Sequence, residues 1–160
     1  MLHILCISDS HKQFWPAVEE YTKRLSKSVI LTTLKPSRKD DPTSVIKEET
    51  ARLLEKLTKL PKPRILLEKD GQQWTSEQFA SSLEKQQQTA TFIIWWPYWV
   101  AVDQCKPYVD HIISRGKQTM PHGLALVVLL EQLRRAKCIT EGRTYHYYSN
   151  KKVNSYLCII

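Results

Sequence analysis

Two stretches of this chain carry residue types able to do chemistry. Near its end, Arg143, Thr144, Tyr145, His146, Tyr147 and Tyr148 bring a cation, an imidazole and three phenols together in a polar segment. An imidazole takes or delivers a proton near neutral pH. Phenol rings stack on unpaired bases, and cations meet phosphates. A locally packed aromatic tail accounts for the same residues equally well. The second stretch is Gly116, Lys117, Gln118, Thr119, Met120 and Pro121, between an apolar run at 111–114 and a long helical pattern. Loops at the carboxyl end of a strand and ahead of a helix present backbone N–H groups to ligands. Residues 95–100 follow the apolar run Phe92, Ile93, Ile94 in the same way, so the two loops outline one candidate pocket.

These loops need a sheet to carry them. Apolar runs at 2–8, 29–34, 64–67, 92–94 and 111–114 read as strands. Between them, helical spacing appears at 14–25, from Ser44 to the prolines at 61 and 63, after Thr75-Ser76-Glu77, and from Pro121 or His122 to about Ile139. Strand and helix alternate throughout, which predicts an α/β fold: a parallel sheet flanked by helices on both faces. Residues 35–43, with two prolines and a run of charges, read as a flexible loop. Glu68-Lys69-Asp70-Gly71 reads as a turn closing the third strand. The charges of the second helix read as a solvated face. In the last helix Leu124, Val127, Val128 and Leu130 cover more of the circumference than one core stripe requires. That breadth predicts a subunit interface.

A chain of 160 residues is long enough for one domain with its own core. The net charge of +8 favours an anionic partner such as RNA, but only weakly, because acidic residues are mixed through the chain. Cys6, Cys105, Cys138 and Cys158 are widely spaced without a C-x-x-C pair, so they read as small buried hydrophobes, and no metal site is expected. No apolar run approaches the ~18 residues of a membrane span, so the expected location is cytoplasmic. Composition holds one anomaly: four glycines against five tryptophans.

The segment TMPHGLALVVLLEQLRRA, from Thr119 to Ala136, resembles the T-L-P-H and L-x-E-Q-x-Y-R-A pattern of a known family, and Tyr145-His146 matches the family's closing P-Y-H. Glu20-Tyr21-x-Lys23-Arg24-Leu25, Leu67-Glu68 before Gly71, and Ser76-Glu77-x-Phe79-Ala80 are similar too. The family is that of small SPOUT-class methyltransferases, which use S-adenosylmethionine to methylate N3 of a pseudouridine in large-subunit (23S) ribosomal RNA. The resemblance covers the chain from Leu2 to about His146. It implies a single domain over residues 1–146 with a C-terminal trefoil knot, a departure from the usual unthreaded chain, and leaves 147–160 as an extension. It also implies a homodimer and a substrate in the large ribosomal subunit or the assembled ribosome. The implied cofactor contacts are Leu67, the loop carrying Trp95, Trp96 and Trp99, and Gly116, Lys117, Gln118, Thr119, Met120 and Pro121. Tyr145 and His146 would lie at the RNA base, across the dimer, with Arg135, Arg143 and Tyr147 as RNA contacts. His146 is the better candidate to accept the N3 proton; His122, directly after Pro121, reads as a residue that packs or caps the helix start.

One loop departs from the pattern. Where the family reads G-G-x-x-G, this chain reads Trp95, Trp96, Pro97, Tyr98, Trp99. Glycine suits such a loop because it permits φ > 0 and close backbone approach to a ligand, whereas an indole adds bulk. Two readings are open. With genuine tryptophans, the chain is a catalytically impaired, knotted RNA-binding dimer. Alternatively, the gene comes from a lineage that reads UGA as glycine, and all three positions are glycine in the protein made there. Every family glycine in the loop has become the same residue, and the chain is glycine-poor, as the second reading requires.

Overall fold

The computed structural model describes residues 1–7, 13–94 and 100–144. Five strands, β1 (Leu2–Ile7), β2 (Val29–Leu34), β3 (Arg64–Gln73), β4 (Ala90–Ile94) and β5 (His111–Ser114), form one sheet in the order β2-β1-β4-β3-β5. All four pairings are parallel. The helices are α1 (Trp15–Leu25), α2 (Pro42–Leu57), α3 (Ser76–Lys85), α4 (Val100–Cys105) and α5 (His122–Thr140). The expected α/β architecture is therefore the observed one.

Strand period explains the two cores. In β1 and β4, Ile4, Cys6, Phe92 and Ile94 point to one side and Leu5, Ile7 and Ile93 to the other. The first set packs with Val18 and Leu25 of α1, Phe79 and Leu83 of α3, and Leu126, Leu129, Leu130 and Leu133 of α5. The second packs with Leu53 and Leu57 of α2 and with Cys105. Central strands covered on both faces are almost wholly apolar; β4 is buried from end to end, and its one polar side chain, Thr91, donates its hydroxyl to the Pro61 carbonyl at 2.7 Å.

Five local expectations need correction. The Glu68-Lys69-Asp70-Gly71 turn lies inside β3, which continues to Gln73 with a register shift: Leu67 and Gln72 both pair with Ile113. Charged residues with a glycine read as a turn locally, but pairing with β5 holds them in the strand. Second, the loop expected between β4 and β5 contains α4, whose six residues are too few to show a helical period. Third, residues 35–43 are tied down. The Ser37 backbone N–H donates to Glu49 Oε1 (2.9 Å) and its hydroxyl donates to Glu48 Oε2 (2.8 Å). Glu49, only 4% exposed, is thus not part of a solvated face. The α2 helix also begins earlier than expected, at Pro42, with the Asp41 carboxylate accepting the Ser44 N–H at 2.8 Å.

Edge strand β5 is fastened to β3 at its start. Asp110 N–H donates to the Arg64 carbonyl (2.8 Å), the Asp110 carboxylate accepts the Arg64 N–H (2.8 Å), and Lys62 Nζ lies 3.4 Å away. Partial burial pushes the Asp110 carboxyl up, but the Arg64 amide and Lys62 outweigh it and hold it below the usual range. A carboxyl depressed by folding stabilises the fold above its unfolded pKa of about 3.9, and that contribution is lost as pH falls through the folded value. Asp110→Asn is expected to cost about 1 kcal/mol at pH 7, with the gap to the parent closing below about pH 4. Urea unfolding at pH 7 and pH 3 checks this.

Candidate active site

Parallel pairing sets the carboxyl ends of the strands side by side. Ile7 pairs with Leu34, Cys6 with Ile94, Ile94 with Leu67, and Leu67 with Ile113. Leu67 is therefore flanked by the ends of β4 and β5, half-buried and packed against the core shared by α1, α3 and α5. Trp95, Trp96 and Trp99 lie outside the described residues, as do Tyr145, His146 and Tyr147. Ile94, which directly precedes Trp95, is 3% exposed and next to Leu67.

Ser114 shapes the turn after β5. Its buried hydroxyl has the Lys69 and Gly116 carbonyls both at 2.9 Å and accepts the Gly116 N–H at 3.1 Å. This pins the Gly116 turn to the mid-strand shift of β3. Gly116 has φ +135°, which side-chain-bearing residues rarely adopt, and a Cβ built there meets nothing within 4 Å. Among the described residues the space beside this backbone is open, and Leu67 is paired with Ile113, three residues before Gly116. Lys117, Gln118, Thr119 and Pro121 are exposed, while Met120 and His122 are half-buried at the start of α5. A Cβ on Gly123 would collide with the Phe14 ring, so α1 packs hard against the first turn of α5. The structure thus gathers Leu67 and residues 116–121 at one sheet edge.

The RNA candidates are placed differently. Arg135 is half-buried and held by Glu131 of the same helix, with Nε and Nη2 at 3.0 and 2.6 Å from Oε1. Arg143 is exposed and pairs with Glu141 at 2.8 Å. The 19 residues of α5 separate Arg143 from the Gly116 turn, about 28 Å at the helical rise. Neither arginine reaches the turn within one chain.

Arg115 was missed by sequence reasoning. Its guanidinium lies 4.2 Å from the centroid of the Phe79 ring. Burial pulls its pKa down to about 10, opposed by the Glu131 charge. Its buried Nε and Nη2 have no hydrogen-bond partner among the described residues. The available signal was a lone cation between an apolar strand and a glycine. Unpaired buried N–H groups cost roughly 1–3 kcal/mol each, more than a stacked cation returns. Arg115→Met keeps the contact with Phe79 without the charge and is expected to raise stability by about 1–2 kcal/mol, read as a higher Tm.

The thiols are inert by contrast. Burial pushes Cys6 up to about 12 and Cys105 up to about 11, and Cys138 is buried as well, so the expectation of small buried hydrophobes holds for these three. Cys158 lies outside the described residues. Among the described residues no helix is long and apolar enough to cross a membrane.

A five-stranded parallel sheet flanked by helices is an α/β fold of the class whose ligands collect at the carboxyl ends of the strands. Comparison with known proteins gives the class its name: the family model described as Predicted SPOUT methyltransferase matches residues 1–146, and the chain belongs to that family. Relatives include the ribosomal RNA large subunit methyltransferase H of Lactobacillus acidophilus, 32% identical over 91% of this chain and 98% of the relative. The proteins of the same name from Dictyoglomus thermophilum and Mycoplasmopsis pulmonis are 33% and 29% identical, each over 91% of this chain and 99% and 98% of their own lengths.

Proposed function

We propose that this chain is an S-adenosylmethionine-dependent methyltransferase of large-subunit ribosomal RNA, acting at N3 of a pseudouridine in the 23S molecule. The observation that carries the reading is the strand register, which brings Leu67, the end of β4 and the Gly116 turn to one edge beside open space. The reading takes residues 1–146 as one cytoplasmic domain with a C-terminal knot. The position of β5 beyond β3, on the far side from β4, supports that topology.

When bound, the cofactor supplies an electrophilic methyl group on a sulfonium. The protein's share of the work is then geometric: to hold donor and acceptor in line and to let N3 lose its proton. Leu67 and the backbone of residues 116–121 hold the donor, together with the loop of Trp95, Trp96 and Trp99. Tyr145 and His146 would seat the base, with His146 as the group that would take the N3 proton. Arg135, Arg143 and Tyr147 hold the RNA.

A homodimer is part of this reading. Three residues lie between Gly142 and His146, an extended reach of about 14 Å, against about 28 Å of α5, so on this reading His146 would meet the Gly116 turn of a second subunit. The outward stripe of α5, with Leu124 37% exposed and Val128 half-buried, supports the same pairing.

Methyl transfer to ribosomes lacking the modification, followed by mass analysis of the RNA, tests the proposal; methylation at N3 of a pseudouridine is expected. Transfer to no RNA, by either this chain or its Trp95→Gly/Trp96→Gly/Trp99→Gly form, would sink it. The tryptophan loop favours a second reading, a knotted dimer that binds RNA without methylating it. That reading predicts RNA binding with no cofactor uptake by either form.

A further inference from the structure

The loop after β2 and the second turn of α2 enclose a cleft of about 360 Å³ lined by Lys35, Pro36, Arg38, Lys39, Glu48 and Arg52. Four cations face one carboxylate, a surplus of three positive charges. We propose that this cleft binds the phosphate backbone of the RNA, anchoring the strand beside the methylation site. The inference rests on the RNA methyltransferase reading and adds to it a surface that neither the family likeness nor the α5 residues supply.

The cleft is built rather than incidental. Ser37 is clamped by two carboxylates, with its N–H on buried Glu49 and its hydroxyl on Glu48. The cations flanking it, Lys35, Arg38 and Lys39, are therefore held on a fixed backbone and remain exposed. Glu48 is kept ionised chiefly by the Ser37 hydroxyl, with Arg52 and Lys39 assisting against desolvation. It lies 3.6 Å from Lys39 and 3.4 Å from Arg52. Arg52 Nε and Nη2 make no hydrogen bond among the described residues, although Nη2 is the atom that faces Glu48. Asp41 accepts the Ser44 N–H at the start of α2, and its charge also acts on Lys39.

Position selects the occupant. All strands are parallel, so the loop after β2 lies along the same sheet edge as Leu67 and the Gly116 turn. Four strand steps separate β2 from β5, about 19 Å at the usual spacing. A single strand of RNA whose target base sits at the turn crosses that distance within a few nucleotides. A polyanion laid along this edge meets the cleft, and phosphate contacts of this kind position a strand without reading its sequence.

The test compares the full chain with its Lys35→Ala/Arg38→Ala/Lys39→Ala form, using a mixed-sequence single-stranded RNA oligonucleotide across a salt series. Each phosphate contact contributes about 0.7 to the slope of log affinity against log salt for single strands, so the slope is expected to fall by about 2 and affinity near 0.1 M salt by about ten-fold. Glu48→Gln, which keeps an acceptor for Ser37, is expected to raise affinity. An unchanged slope in the alanine form overturns the inference, as does weaker binding by Glu48→Gln. Binding to phosphatidylglycerol vesicles that disappears in the alanine form while the RNA slope stays the same identifies a membrane surface instead and also overturns it. If the parent chain binds RNA and the alanine form matches it, only the cleft assignment falls. If the parent binds no RNA at all, the methyltransferase reading falls with it.

Discussion

Changing Trp95, Trp96 and Trp99 together to glycine is expected to raise affinity for S-adenosylmethionine by on the order of a hundred-fold. The loop begins directly after Ile94, which is buried and paired on one side with Cys6 and on the other with Leu67. The chain therefore leaves the sheet beside Leu67, and on the proposed reading bulk there would compete with the cofactor. Overfilling a packed site costs about 1–3 kcal/mol per large side chain, so three indoles together reach at least ~3 kcal/mol, which is about a hundred-fold in Kd. Glycine also permits φ > 0 and close backbone approach to a ligand, which a residue carrying an indole resists. Titration calorimetry of both forms reads the effect. A micromolar Kd is expected for the glycine form, and equal affinity in the two forms would show that the indoles lie clear of the cofactor. The codons at the three positions give an independent answer: UGA at each makes the glycine form the natural protein, and UGG makes the tryptophans genuine.

Gly71→Ala is expected to destabilise the fold by at least about 3 kcal/mol. A Cβ at Gly71 would stand 2.7 and 2.8 Å from Ile113 C and N and 2.9 Å from Ile112 C, all of them backbone atoms. A side-chain neighbour can turn aside, but here β5 itself has to move. Because Ser114 ties the Gly116 turn to Lys69, movement of β5 also displaces the ligand edge. Gly116→Ala is the informative control: its Cβ meets nothing, and only its φ of +135° resists the change, so about 1–3 kcal/mol is expected. Urea unfolding ranks the two, and hydrogen exchange at Ile112 and Ile113 shows whether β5 loosened. Gly71→Ala with parental stability and parental exchange would mean that β3 and β5 are not pressed together as described.

The elements were legible to different degrees for identifiable reasons. Buried strands such as Phe92-Ile93-Ile94 and amphipathic helices such as α1 announce themselves because burial forces apolar residues into a period of two or 3.6. The short α4 did not, since six residues hold less than two turns. The Glu68-Lys69-Asp70-Gly71 stretch misled because its composition is that of a turn, while its conformation is set by the β5 backbone pressed against Gly71. At the candidate site, residues 116–121 were legible as a loop between a strand and a helix and Leu67 through the family pattern, and the register sets Leu67 beside Ile113, three residues before Gly116. Arg115 escaped because nothing in a lone charge beside a glycine tells that an aromatic ring will lie under it.

What this sequence determines by itself is the alternation of strand and helix, the two-sided burial of the central strands and the family to which the pattern belongs, because these depend on local period and residue type. Tertiary structure alone decided which loops share an edge, that β5 lies outside β3, that Arg135 is held by Glu131, and that Lys35, Arg38, Lys39 and Arg52 converge on one cleft. Such facts depend on contacts between residues far apart in the chain, and no local pattern encodes the distance between them.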